Sequence, residues 1–135
     1  MMMKINIEYE NATEKKAIDN MLEVAYYACE QLVIDHMNFN VNVFVDDMSE
    51  TTNGMVVECM DDGYFLILIR ERDSLEDMII TLVHELVHVK QYLKDSLSDC
   101  IGDVNKIPYL EQWWEKEAFS KTVEIVKNYV HRKLN

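Results

Sequence analysis

Residues 84–88 read His84-Glu85-Leu86-Val87-His88. The stretch around them is strongly helical, so whatever this chain folds into must present two imidazoles side by side. Four residues make slightly more than one helical turn, which puts both rings on one face where they can share a metal ion. The intervening Glu85 lies beside that position without being needed as a ligand, and can hold a water and take its proton. Ser74 supplies a capping residue, and Glu76 and Asp77 put acid into the first turn, a good helix start. Leu75, Ile79, Leu82, Val83, Leu86 and Leu93 then recur as an apolar stripe. Ile80 and Val87 widen it, so the helix is expected to be covered on more than one flank. His84, His88 and Gln91 fall on roughly the opposite side, with Thr81 one turn earlier. The histidines are therefore expected to line a cleft. A pair of surface or hydrogen-bonded histidines that never meet a metal is the competing reading, and the glutamate and apolar packing weigh against it.

The rest of the chain reads as an α+β domain. Residues 3–9 alternate apolar and polar, predicting a short strand. A long helix is expected from Asn11-Ala12-Thr13-Glu14 to about Met37, with Ile18, Met21, Leu22, Ala25, Cys29, Leu32, Val33 and His36 at helical spacing. Val41, Val43 and Val45 alternate in a second strand, and Met55 to Met60 forms a third after the Asn53-Gly54 turn. Asp61-Asp62-Gly63 signals a tight turn before Tyr64 to Arg70, the strongest strand in the sequence, so the third and fourth strands should form a hairpin. The histidine helix ends near Lys94, residues 95–108 read as a loop with Gly102 and Pro108 as punctuation, and a last helix starts around Tyr109 to Trp113. The expectation is a small, mainly antiparallel sheet packed by a long N-terminal helix and two C-terminal helices.

With 135 residues, the sequence predicts one domain, 1–135. Three glycines and one proline leave no linker composition, and there is no internal repeat. No apolar run approaches the roughly 20 residues of a membrane helix. Met1-Met2-Met3-Lys4 leads directly into the first strand and not into a secretory signal, so a soluble cytoplasmic protein is expected. Cys29, Cys59 and Cys100 form no CxxC pair and read as reduced thiols. A formal charge of −12 argues against tight binding to a nucleic-acid backbone, which needs basic patches. The acidic clusters read as a solvated surface.

Two histidines leave a catalytic zinc ion one protein ligand short. The last helix offers Glu115 and Glu117, about 200° apart around a helix, so both cannot face one metal. His36 and His131 are adequately explained by helix-end positions. A helix carrying HExxH, followed after a short connection by a glutamate on the next helix, resembles the glutamate-type zincin metallopeptidases, the gluzincins. In so short a chain the resemblance is to minimal gluzincin and SprT-like metallopeptidases of phages and prokaryotes. Their Trp-Glu-x-Glu-Ala stretch is similar to Trp114-Glu115-Lys116-Glu117-Ala118. The resemblance implies a zincin-like fold with Zn2+ held by His84, His88 and Glu117, because the ligand glutamate in larger gluzincins is followed by a small residue, here Ala118. Glu115 remains the alternative. The acidic residue often found four positions after that ligand is Lys121 here, and no separate C-terminal subdomain is expected.

The function this implies is hydrolysis of peptide bonds in a peptide or protein substrate, with Glu85 as general base. Tyr92, Tyr109 and Tyr64 are candidates for stabilising the oxyanion. The strand Tyr64 to Arg70 resembles the rim strand along which an extended substrate pairs. The competing function is a zincin-like metal-binding regulatory or interaction module without turnover.

Overall fold

The computed structural model describes residues 3–10, 15–46, 54–58, 63–71, 74–98, 100 and 106–134. The chain runs β1 (Lys4–Tyr9), α1 (Lys15–Gln31), β2 (Asn40–Asp46), β3 (Gly54–Glu58), β4 (Tyr64–Arg70), α2 (Leu75–Lys94), a 3-10 turn at Tyr109–Glu111 and α3 (Trp113–Leu134). These are the expected elements in the expected order. The proposed helix start at Asn11 to Glu14, the turn residues Asn53, Asp61 and Asp62, and Cys59 and Gly102 lie outside the described residues.

The sheet has the order β1-β2-β4-β3. β1 pairs with β2 and β2 with β4 in parallel, and only β3 runs antiparallel, against β4. The expectation of a mainly antiparallel sheet is therefore corrected to a mixed sheet with two parallel pairings. Helix α1, between β1 and β2, is a crossover long enough to return the chain in the same direction. The segment containing β3 similarly separates β2 from β4. The expected β3–β4 hairpin is present. Half-open sheets are usually antiparallel, yet the alternating strand β2 pairs in parallel on both sides. Here Val41, Val43 and Val45, with Phe65, Ile67 and Ile69 of β4, face the helices and are buried. On the opposite face Asn6 Nδ2 donates to Asn42 Oδ1 at 3.3 Å.

Helix α1 places Met21, Val24, Ala25, Ala28 and Cys29 in the core. It stops at Gln31, short of the expected Met37. Ile34 N–H donates to Cys29 O and Val33 N–H to Glu30 O, while Val33 takes φ 57°. This pair of bonds is the Schellman C-cap, normally built on glycine. Leu32 and Ile34 are buried on either side of it, whereas Val33 and His36 project to solvent. Burial of Leu32 and Ile34 thus outweighs the cost of a β-branched residue in the left-handed region.

Helix α2 is the centre of the molecule. It contacts α1, β3, β4 and α3. Ser74 caps it, its side chain accepting from Asp77 N at 3.4 Å. Leu82, Val83, Leu86, Val87 and Val89 are fully buried, each stabilising the fold by about 1.5–3 kcal/mol relative to exposure. Cover on several flanks was expected, and only Ile80 of the widened stripe stays exposed. Helix α3 lies against α2 through Trp114, Ala118, Thr122 and Ile125. Among the described residues no helix is long and apolar enough to cross a membrane.

Candidate metal centre

The cleft lies where α2, the first turn of α3, the Tyr109 turn and strand β3 meet. It encloses about 280 Å3, and His84, Glu85, His88, Tyr109, Glu115 and Gly54 are among its lining residues. One turn of α2 aligns the two imidazoles, whose centroids are 5.0 Å apart at an interplanar angle of 80°. His84 Nε2 and His88 Nε2 each stand 3.1 Å from the same oxygen, Oε1 of Glu115. Tyr109 donates its hydroxyl to that oxygen at 3.3 Å. Phe119 sets its ring 5.0 Å from that of His84, closing one side of the group.

Behind the histidines runs a second layer of contacts. His88 Nδ1 lies 2.7 Å from Gln91 Oε1. Gln91 Nε2 donates to Trp114 O at 2.8 Å and to Glu117 Oε1 at 3.0 Å. Lys90 Nζ donates to both Glu117 oxygens at 3.0 Å and pairs with Asp95 at 2.7 Å. Burial alone would lower the Lys90 pKa, but its bonds to Asp95 and Glu117 outweigh that and raise it.

The structure brings Glu115, the expected alternative, against both histidines, and places Glu117, the expected third ligand, on Lys90 and Gln91 instead. Trp114 and Ala118 form the seam with α2, and the two glutamates straddle it. Ala118 marks where the helices touch and says nothing about which flank reaches the histidines. The overlooked signal was Lys90, a largely buried cation two residues beyond His88 that takes both Asp95 and Glu117 as counter-ions. Although Glu115 stands in the first turn of α3, its side chain is only 14% exposed.

Each titrating group carries the mark of this packing. Burial would raise the Glu115 pKa, but hydrogen bonds from His84 and His88 overcome it and hold the carboxyl at about 2. His88 would be lowered by burial, yet the bond to Glu115 and the nearby charge of Glu85 raise it. Glu85 is buried, and burial pushes its pKa up against the opposing pull of His88 and His84. Tyr109 is pushed up to about 12, by burial and then by the charge of Glu115.

The ligand atoms of His84, His88 and Glu115 all lie within 4.8 Å of one another. Two imidazole nitrogens and one carboxylate oxygen form the donor set of a zinc site that keeps a position open, whereas a structural site closes all four. The residues therefore fit a metal ion. Of the three tyrosines considered for the oxyanion, Tyr109 and Tyr92 line the cleft, and Tyr92 also packs on Phe65 at 5.8 Å. Tyr64 is exposed at the start of β4. Nor is β4 the rim strand, because β2 and β3 occupy its two sides. Gly54, Met55 and Val56 of β3 line the cleft instead. Cys29 is buried, and burial pushes its thiol up to about 12, which makes it inert. Cys100 is a free thiol at the cleft wall.

No protein-family profile, curated protein or solved structure matches this chain.

Proposed function

We propose that this protein is a zinc-dependent peptidase whose metal ligands are His84, His88 and Glu115. The observation that carries the reading is the convergence of these three groups on one point beside Glu85, a buried carboxyl on the same helix. Zinc, when bound there, would supply a Lewis acid that polarises a substrate carbonyl and lowers the pKa of water to about 7.

The remaining chemistry belongs to the chain. Glu85 would take the proton of the attacking water and deliver it to the leaving nitrogen, and its burial-raised pKa brings it nearer to neutral as a general base. Tyr109 is within reach of the site and can donate its hydroxyl to the oxygen that gains charge. An extended peptide would run along β3, which pairs with β4 on one side and with no other described strand.

The second reading, a metal-binding module without turnover, gives Glu85 no task. A buried carboxyl beside two ligands is costly to keep unless its protonation is used.

Replacing Glu85 by Gln keeps the shape and removes the base. Zinc content should stay near one per chain while peptide hydrolysis falls about 100- to 10,000-fold. Normal cleavage by the variant would overturn the mechanism, and loss of its zinc would make Glu85 a ligand instead. Zinc uptake with no hydrolysis of any peptide by the unaltered protein would favour the non-catalytic module.

A further inference from the structure

Helix α3 buries one face, through Trp114, Ala118, Thr122 and Ile125, and a surface helix of this kind is normally polar on the rest. This one is not. Phe119, Val123, Val130 and Leu134 are 48%, 68%, 50% and 81% exposed. At about 100° per residue these four fall within about 60° of one another, roughly 110° around the helix from the buried face. Single apolar residues on a surface need no explanation, but a row of them on one helical face makes a continuous stripe. The rise from Phe119 to Leu134 gives it a length of roughly 22 Å. Phe119 is the ring that packs 5.0 Å from His84 and 6.2 Å from Tyr109, so the stripe begins at the metal centre and leads away from it.

Its far edge is basic. Lys116 and Lys127 lie along the side of the stripe farther from the buried face, and neither forms an ion pair among the described residues, whereas Lys121 pairs with Glu124 and Lys133 with Glu23. Helix α3 carries five basic residues against three acids, in a chain whose net charge is −12. We propose that this stripe docks an acidic amphipathic helix carried by the protein substrate, and so delivers the segment beside that helix to the metal centre. Apolar side chains at helical spacing would pack between Phe119, Val123 and Val130, and flanking carboxylates would pair with Lys116 and Lys127. A second copy of the chain fits less well, because antiparallel packing of two α3 helices sets lysine edge against lysine edge. An anionic lipid surface repels a chain of this net charge. Delivery to the metal rests on the metallopeptidase reading, but docking does not.

The probe is a fluorescent synthetic helix of about 15 residues, to match the stripe, with leucines at heptad spacing and glutamates along both edges. Its counterpart carries lysines in place of the glutamates. Fluorescence anisotropy with the full chain should show the glutamate helix binding about 10-fold or more tighter than the lysine helix, and Val123→Glu should weaken it about 10-fold. Lys116→Glu combined with Lys127→Glu should reverse the preference, a gain that misfolding cannot imitate. Equal binding of the two helices, or binding of neither, overturns the proposal. So does a dimer in sedimentation that Val123→Glu breaks, which assigns the stripe to a second copy, or a preference for phosphatidylglycerol vesicles over the helix. For delivery, the glutamate helix is joined to a library peptide that the zinc-loaded protein cleaves. Joining should raise kcat/KM about 10- to 100-fold, and Val123→Glu should abolish that gain; no gain on joining overturns delivery. Docking by a protein that hydrolyses no peptide keeps the docking surface and overturns the peptidase reading, so the two failures are distinguishable.

Discussion

Strand β3 forms a wall of the cleft only because it sits very close to α2, and Gly54 is where that closeness can be measured. A Cβ added at Gly54 would stand 2.5 Å from Thr81 Cγ2, 3.2 Å from Leu68 O and 3.5 Å from Glu85 Cγ. Carbon atoms in good contact are about 3.5–4.0 Å apart, so Gly54→Ala demands an opening of roughly 1 Å at Thr81. Thr81 cannot swing aside freely, because its hydroxyl donates to Asp77 O at 3.0 Å and fixes the rotamer. Leu68 O is main chain of the central strand and does not yield. The strand must lift from the helix, at about 1–3 kcal/mol for an overpacked site. For a chain of this length each kcal/mol lowers Tm by about 3–4 °C. Thr81→Ser removes the offending methyl and keeps the bond to Asp77, at a cost of under about 1 kcal/mol. In the double variant the clash is gone, so a favourable coupling of about 1–2 kcal/mol should appear between the two positions. Urea denaturation of the starting protein, both single variants and the double variant closes this cycle. Strictly additive losses would show that β3 is not seated on Thr81, and the cleft wall described here would be wrong.

Glu115→Gln should weaken Zn2+ binding much more than Glu117→Gln, the latter acting only through Gln91. A chelator titration in which Glu117→Gln is the more damaging would return the ligand role to Glu117. The metal-free protein should be most stable in mild acid. Glu115 falls from its ordinary 4.5 to about 2, so its contribution is present above pH 4.5 and lost as pH falls through about 2. Glu85 is raised above 4.5 and His88 above 6.5, so their contributions are lost as pH rises through those raised values. Tm of the metal-free protein should therefore decline from mild acid to pH 8, and added Zn2+ should raise it more at pH 8 than in mild acid, because protons compete less for His88 as pH rises. A metal-free Tm that climbs steadily from pH 5 to 8 would contradict this.

Much of this fold was legible because its elements obey local rules. The Ser74 cap, the period of α2 and the run Tyr64 to Arg70 each depend on neighbours in sequence. So does the pairing of His84 with His88, which one helical turn dictates. Strand direction was not legible, since alternation reports which face is buried and is blind to which way the partner runs. The end of α1 was misjudged because the apolar spacing continues through Val33 and His36, while the chain turns at Val33 to bury Ile34. The choice between Glu115 and Glu117 depends on how α3 is rotated about its own axis. That rotation is set by Trp114 and Ala118 against α2 and by the demand of Lys90 for a counter-ion, neither of which is a local property.

The sheet order also sets when each part of the molecule can form. Only β3 and β4 are joined by a short connection, with five residues between Glu58 and Tyr64, and a hairpin of this kind closes in about 1–10 μs. Asn6 and Asn42, partners in the β1–β2 register, are 36 positions apart. Such a pairing must meet the entropy of closing a long loop before any ladder bond forms. The hairpin and the helix that follows it directly, α2, are therefore expected to assemble first and the N-terminal strand to dock last, which φ-values near zero throughout β1 would show. The chain would then build the wall and the floor of its cleft while its own beginning is still unfolded.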